Sequence, residues 1–131
     1  RGATTMWEHW NGVKEDGSFW STDMNSFNHY AYGAVGDWMY GVIAGIRINT
    51  AGYKNITIAP CPDKRLGFVD CSLDTPYGTL ESNWRYIDKG IRFEFNIPEG
   101  VDATIVLPDG HKETVYGGVY IYNVFEDQIT V

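Results

Sequence analysis

Several kinds of sequence feature are scarce or missing in this chain. It contains two cysteines, Cys61 and Cys71, among 131 residues, which is too few for a disulfide scaffold. Their spacing is compatible either with a bond between facing strands or with two independent thiols, so the compartment stays open. No run of about eighteen apolar residues occurs, and the sequence therefore predicts no transmembrane helix.

Positive charge is also scarce. Ten Lys and Arg residues stand against seventeen Asp and Glu residues, which gives a formal net charge of −7 at pH 7. Binding to phosphate backbones or to anionic lipid depends on clustered basic residues. The composition therefore predicts neither a nucleic-acid partner nor a membrane partner.

The chain has no initiator methionine and no signal-peptide pattern at its first residues, Arg1-Gly2-Ala3-Thr4. A chain of this length buries one modest core, yet a segment dense in polar and aromatic residues begins almost at once. We expect the chain to be a piece of a longer protein, and localisation is not predicted.

What the chain does have is concentrated in its first third. The segments Thr4–Trp10 and Asn25–Gly33 combine the Glu8 carboxylate, the His9 and His29 imidazoles and five aromatic rings. Aromatic faces stack on the apolar faces of a pyranose ring, while carboxylates and imidazoles bind hydroxyls or transfer protons. This composition is typical of a cleft that processes sugars.

One long helix is predicted over Phe27–Ile46, because apolar residues recur there at intervals of three and four. Asn25 and Ser26 offer N-cap side chains. The helix would be apolar around most of its circumference, which is typical of a member of a larger helical assembly. We therefore expect the isolated chain to self-associate through Phe27–Ile46.

After Gly52 the apolar period changes to two, which predicts strands separated by Pro and Gly turns. Short strands at regular intervals are typical of an antiparallel β-sandwich. The predicted fold is therefore mainly β: a loop and one long helix in residues 1–51, followed by a sandwich in residues 52–131. The predicted strands are Asn55–Ala59, Leu66–Leu73, Thr79–Asp88, Ile91–Ile97, Ala103–Leu107, Lys112–Tyr116 and Val119–Phe125.

Several motifs resemble one known family. They are Thr5-Met6-Trp7-Glu8-His9-Trp10, Met24 to Trp38, Ala44-Gly45-Ile46, Gly52-Tyr53-Lys54, Pro60 and Thr75-Pro76-Tyr77-Gly78. Together they are similar to the C-terminal region of bacterial α-L-rhamnosidases of glycoside hydrolase family 78. The resemblance implies that residues 1–51 are the last loop and helix of a catalytic (α/α)6 barrel, and that residues 52–131 are the β-sandwich that follows it.

The same resemblance implies roles for individual residues. Glu8 matches the general base of an inverting mechanism, and His29 matches a histidine that contacts the bound rhamnose. Trp7 and Trp10 would line the pocket. The general acid has no counterpart in this chain, so we expect the chain alone to be inactive and to need the rest of the barrel. Two-carboxylate chemistry requires no cofactor.

Plainer interpretations stand beside these. Without the motif, Glu8 would be an ordinary solvated carboxylate and His29 a histidine at the start of a helix. His9 is either a partner of Glu8 or a surface residue. A metal site built from His9, Asp23 and His29 lacks any recognised ligand spacing, so no metal is predicted. The rival function is a carbohydrate-binding or purely structural β-sandwich without catalysis.

Overall fold

The computed structural model describes residues 2–129, so residue 1 and residues 130–131 of the predicted domains lie outside the described part. The described chain divides into two compact units, one up to Asp37 and one from Trp38 onward. Among the described residues, no helix is both long enough and apolar enough to cross a membrane.

The first unit is held together by backbone hydrogen bonds between two segments that are distant in sequence. The amide of Glu8 donates to the carbonyl of Ser26 (2.9 Å), and the amide of His29 donates to the carbonyl of Met6 (2.7 Å). Between these segments the chain turns back on itself at Gly17, with Val13 bridged to Phe19. The predicted loop therefore exists and contains a small hairpin.

The predicted helix Phe27–Ile46 is wrong in its extent and continuity. The chain forms two single turns, α1 (Tyr30–Gly33) and α2 (Val35–Trp38), followed by a π-helical segment, Met39–Ile43. Glycine lowers helix propensity by about 1 kcal/mol per residue, and this region is rich in it. We call these turns together, from Tyr30 to Ile43, the helical course. Gly45 then adopts a left-handed conformation with φ of 77°, so that the helical course does not continue to Ile46.

The described residues of the second unit, 38–129, form nine strands. Two short 3₁₀ turns, Ala51–Tyr53 and Glu126–Gln128, accompany them. The strands are β1 (Ile46–Ile48), β2 (Asn55–Ile58), β3 (Phe68–Val69), β4 (Ser72–Thr75), β5 (Gly78–Ile87), β6 (Gly90–Ile97), β7 (Asp102–Val106), β8 (Lys112–Val115) and β9 (Gly118–Phe125).

Most of these strands match the period-two prediction to within a residue or two, with two differences. The predicted strand Leu66–Leu73 is interrupted at Asp70 and Cys71, which separate β3 from β4. Strand β1 was not predicted: Ile46 was the last residue of the predicted helix, and Arg47 and Ile48 follow it within residues 1–51, where no strand was expected. It comes before Gly52, so the sheet begins earlier than the change of period indicated.

The strands form two sheets, which confirms a mainly β fold. One sheet has the order β1-β2-β7-β8, and the other has the order β3-β5-β6-β9 with β4 also paired to β5. Pairing is antiparallel except between β2 and β7, which run parallel. The expectation of a purely antiparallel sandwich is wrong at that pair: the chain leaves the first sheet after β2, builds β3 to β6, and returns in the same direction. Parallel neighbours require such a crossover.

The two sheets bury one common hydrophobic cluster. Ile56 and Ile105 from the first sheet and Trp84, Phe93 and Phe95 from the second are almost fully buried. Trp84 therefore belongs to the core. Burial of each such side chain contributes about 1.5–3 kcal/mol, which makes this cluster the main stabilising element of the second unit.

Two hydrogen bonds attach the end of the helical course to the second sheet. The indole Nε1 of Trp84 donates to the carbonyl of Ile43 (2.9 Å), and the hydroxyl of the buried Ser82 donates to the carbonyl of Ala44 (2.6 Å). Carbonyls at the end of a helix lack intrahelical partners. These side chains satisfy them inside the core and fix where the chain enters β1.

Both cysteines are free thiols. Cys61 is exposed, and Cys71 is half-buried between β3 and β4, where burial raises the pKa of its thiol. Of the two alternatives left open by the sequence, the structure has independent thiols.

Candidate functional site

The first unit brings Glu8 and His29 together through the backbone. Besides the Glu8–Ser26 and His29–Met6 hydrogen bonds, the hydroxyl of Thr5 donates to the carbonyl of Phe27. These three contacts join the Thr5–Glu8 segment to the 26–29 segment. The two motifs that stood out in the sequence therefore form one site, and the backbone fixes their relative position.

The Glu8 carboxylate lies between two imidazoles without bonding to either. Its Oε2 is 3.9 Å from Nδ1 of His29, and its Oε1 is 3.9 Å from Nε2 of His9. These distances exceed hydrogen-bond range, so the interaction is purely electrostatic. The His9 contact supports its interpretation as a partner of Glu8, although its side chain is 47% exposed.

One oxygen of Glu8 is unusual. The side chain as a whole is 21% exposed, but its Oε2 is shielded from solvent and has no hydrogen-bond partner among the described residues. Leaving a buried polar atom unpaired costs about 1–3 kcal/mol. Such atoms are rare in folded proteins and call for an explanation, which a reacting group or a bound molecule can supply.

His29 is held at its Nδ1, which lies 3.1 Å from the hydroxyl of Ser26. Its ring also lies beside that of Tyr32, with centroids 5.4 Å apart. The expectation that Ser26 caps the helix is wrong, because His29 itself occupies the N-cap position of α1 and no side chain makes a capping bond there. Ser26 contacts the imidazole instead.

Aromatic rings flank Glu8. Trp7 stacks on Trp10 with centroids 6.2 Å apart and planes at 27°, and its other contact is edge-on with Phe27 at 4.8 Å. Trp10 is 66% exposed, so a large part of its surface is available to a ligand. Trp20 lies 5.0 Å from the ring of His9. The cluster offers apolar ring faces, and Trp7 adjoins Glu8 in the sequence.

Metal binding finds no support in the geometry. Among residues 2–129, no group of three or more His, Cys, Asp and Glu side chains is arranged to hold an ion. Asp23 bonds through its amide to the hydroxyl of Ser21 within its own turn, and Asp16 accepts hydrogen bonds from Ser18.

Three residues of the site were given no functional role from the sequence: Ser26, which was expected only to cap the helix, Phe27 and Tyr32. All three stand within three residues of His29, in a motif that already drew attention. The sequence could not predict that residues 26–29 pair with Thr5–Glu8. That contact joins residues about twenty positions apart and follows no periodic pattern.

Two known protein-family models match the chain. A family model described as the bacterial α-L-rhamnosidase C-terminal domain matches residues 45–121, and one described as the bacterial α-L-rhamnosidase 6 hairpin glycosidase domain matches residues 1–43. An α-L-rhamnosidase of Formosa agariphila is 43% identical over 115 residues, which are 88% of this chain and 12% of that protein. The chain therefore spans about an eighth of this relative.

Solved structures are similar as well. One is the Streptomyces avermitilis α-L-rhamnosidase, crystallised with L-rhamnose. The alignment covers 94% of this chain and 14% of the Streptomyces chain, with a TM-score of 0.73 and 32% sequence identity. Another is the Aspergillus terreus α-L-rhamnosidase, where the alignment covers 93% of this chain and 14% of the Aspergillus chain, with a TM-score of 0.73 and 35% sequence identity. The resemblance found in the sequence is thus confirmed, and the chain belongs to the family of bacterial α-L-rhamnosidase C-terminal domains.

Proposed function

We propose that this chain is the C-terminal part of a glycoside hydrolase that removes terminal α-L-rhamnose from glycosides or polysaccharides. Membership of the family supports the reaction class. The observation that carries the proposal is the Glu8 carboxylate, whose Oε2 is buried without a hydrogen-bond partner among the described residues and lies 3.9 Å from Nδ1 of His29.

In the proposed mechanism Glu8 acts as general base. It takes a proton from a water molecule, and that water attacks the anomeric carbon while a separate acid protonates the leaving oxygen. In inverting enzymes the two carboxyl groups lie roughly 6.5–9.5 Å apart to leave room for the water. The acid is proposed to lie in a part of the catalytic barrel outside this chain, so the chain by itself is expected to be inactive.

His29 and the tryptophans are proposed to bind the sugar. The imidazole offers one nitrogen to a rhamnose hydroxyl, since the other is engaged with Ser26. The exposed face of Trp10, backed by Trp7, is proposed to stack on the apolar face of the ring. No cofactor is required for this chemistry.

The domain division also belongs to this proposal. Residues 1–51 were predicted to complete the barrel and residues 52–131 to form the sandwich. Strand β1 at Ile46–Ile48 and the ranges matched by the two family models, 1–43 and 45–121, favour a junction near Ala44. The contribution of the first segment to an (α/α)6 barrel stays a prediction.

The test is turnover of an aryl α-L-rhamnoside by the full-length protein that carries this chain. Glu8→Gln should lower kcat by about 10²–10⁴-fold, which is what a general base contributes. The matched control is Glu15→Gln, the same change at an exposed position of the hairpin, which should leave kcat unchanged. The isolated chain should show no turnover.

The stereochemistry is tested separately. Proton NMR of the first product formed should show β-L-rhamnose before mutarotation, because a single displacement inverts the anomeric centre. Initial formation of the α-anomer would contradict inversion. Equal kcat values for wild type and Glu8→Gln would remove Glu8 from the mechanism.

A non-catalytic carbohydrate-binding sandwich is the second candidate. It is supported by exposed rings on the second unit, among them Phe68 (60% exposed) and Tyr116 (64% exposed). If it is correct, Phe68→Ala and Tyr116→Ala should weaken binding to a rhamnose-containing glycan, while Glu8→Gln has no effect on any activity of the full-length protein.

A further inference from the structure

Ser26 contacts both halves of the candidate site. Its carbonyl accepts the amide hydrogen of Glu8 at 2.9 Å, while its hydroxyl lies 3.1 Å from Nδ1 of His29. One residue thus determines where the backbone of Glu8 lies and where the ring of His29 is held. Its side chain is half-buried, so solvent competes less for that hydroxyl than on an open surface.

The alternative partner for His29 is Glu8 itself. Nδ1 of His29 stands 3.9 Å from Oε2 of Glu8, and a movement of about one ångström would bring the pair within the 2.7–2.9 Å typical of a charge-assisted hydrogen bond. Such bonds are about twice as strong as neutral ones. A free imidazole would therefore be drawn to the carboxylate.

Closure of His29 on Glu8 would interfere with a general base. A base needs a free lone pair aimed at its water, and an imidazole bonded to Oε2 would occupy it. The bond would also stabilise the ionised carboxylate, which makes it a weaker proton acceptor. In the structure Oε2 has no hydrogen-bond partner among the described residues, and Nδ1 of His29 lies nearer to the hydroxyl of Ser26 (3.1 Å) than to Oε2 (3.9 Å).

We infer that Ser26 is a positioning residue that engages Nδ1 of His29 through its hydroxyl and thereby keeps the imidazole from bonding the Glu8 carboxylate, which stays free to accept a proton from the reacting water. The inference rests on the proposed function of Glu8. In this arrangement Nδ1–H donates to Ser26 Oγ, since the nearby Glu8 charge favours the proton on that nitrogen, and Nε2 is left as an acceptor toward the sugar. The basic side chains within 4.0 Å of the Glu8 carboxylate in the described chain are His9 and His29.

The experiment measures kcat/KM against pH for the full-length protein that carries this chain. Ser26→Ala releases His29, so kcat/KM at neutral pH should fall by about tenfold, a part of what a general base supplies. The acidic limb of the profile should move to lower pH, because a carboxylate bonded to an imidazole is harder to protonate. Ser26→Thr keeps the hydroxyl and should restore the wild-type profile.

Two controls separate this effect from a loss of structure. Ser18→Ala makes the same chemical change at a hydroxyl that bonds Asp16 in the hairpin, and should leave the profile unchanged. In a His29→Gln background the added Ser26→Ala change should no longer move the acidic limb, since no imidazole remains to close on Glu8. Non-additivity of this kind identifies residues that act through one another.

The outcomes distinguish the two proposals. If Glu8→Gln removes activity but Ser26→Ala leaves the acidic limb in place, or moves it equally with and without His29, the inference about Ser26 is overturned and the proposed base stands. If Glu8→Gln retains full activity, the proposed function itself fails. A fall in rate for Ser26→Ala that Ser26→Thr does not repair would also contradict the role of the hydroxyl.

Discussion

The carboxylates of this chain occupy contrasting environments. Asp63 accepts hydrogen bonds from the guanidinium of Arg65 at both its oxygens, and this lowers the pKa of Asp63 to about 2. Glu113 bonds both Tyr122 and His111. In Glu8, by contrast, Oε2 makes no hydrogen bond to the described residues. A carboxylate that stabilises a fold is normally bonded, so the environment of Glu8 is better suited to a reacting partner.

The hydrogen bonds of Glu113 predict that the stability of the fold depends on pH. It lies on β8, at the edge of one sheet, and its carboxylate accepts the hydroxyl of Tyr122 on β9, at the edge of the other. The bonds from Tyr122 and then His111 lower the pKa of Glu113 below its ordinary value of 4.5. Burial, followed by the bond to Glu113, raises the pKa of Tyr122.

A carboxyl group whose pKa is lower in the folded state stabilises the fold above its unfolded pKa and loses that contribution as pH falls through the folded value. We therefore expect wild type to have a higher free energy of unfolding than Glu113→Gln above about pH 5, with the difference disappearing in more acidic solution. Urea unfolding at several pH values measures it. Glu81→Gln on β5 is the control, and an equal difference at every pH would contradict the prediction.

The residues of the site could be identified from the sequence because they form dense motifs of unusual composition. Their arrangement could not. The contact between Ser26 and His29 looks in sequence like a helix cap, since serine before a helix usually bonds a backbone amide. The difference arises because His29 takes the N-cap position and turns its ring toward Ser26.

At the scale of elements, strands were predictable and the helix was not. Alternation in a strand such as β6, with Ile91, Phe93, Phe95 and Ile97 buried on one side, follows directly from a period of two. The helical course fails for a local reason, because its glycines weaken it and Gly45 must reverse the chain. The parallel pairing of β2 with β7 joins strands more than forty residues apart, and local patterns carry no information about it.

Gly45 should be the least replaceable glycine of this region. Its φ is 77°, and a Cβ built on it would lie 2.2 Å from the carbonyl carbon of Ala59 and the nitrogen of Pro60. Gly52 has nearly the same φ, 82°, with no atom within 4 Å of its Cβ position. A side chain at either position would therefore strain the backbone equally, but only Gly52 has room for the added Cβ atom.

Gly52→Ala should cost about 1–2 kcal/mol, the penalty for a left-handed residue with a side chain. Gly45→Ala adds a clash with backbone atoms next to β2, and we expect the total to exceed about 4 kcal/mol, a range that marks a severe structural conflict. Chemical unfolding of the two variants measures the difference. Equal costs would mean that the chain around Ala59 moves aside at little expense.

At the scale of the whole molecule, the described chain exposes large apolar side chains along its helical course. The exposed fractions are 87% for Tyr30, 57% for Tyr32, 54% for Val35, 52% for Trp38, 53% for Met39 and 43% for Tyr40. Contiguous apolar patches on soluble proteins mark interaction surfaces. If the proposed (α/α)6 barrel is correct, these residues would pack against its other helices in the full-length protein.

The last prediction concerns the isolated chain. Although Phe27–Ile46 is not one helix, its exposed apolar residues remain, and we expect them to drive self-association. Burying a side chain the size of Trp38 or Met39 contributes about 1.5–3 kcal/mol, and a symmetric dimer gains it twice. The double variant Trp38→Ser/Met39→Ser should therefore weaken association by at least about tenfold. Sedimentation equilibrium over a range of concentrations measures the change.

Phe68→Ser is the matched control, because Phe68 is 60% exposed on β3, apart from the helical course in sequence. It should leave the association constant unchanged. If both variants weaken association equally, the contact involves the exposed surface in general and not the helical course. If wild type sediments as a monomer at every concentration, the exposed residues of Tyr30–Ile43 do not drive association, and their apolar character must be assigned to packing within the longer protein alone.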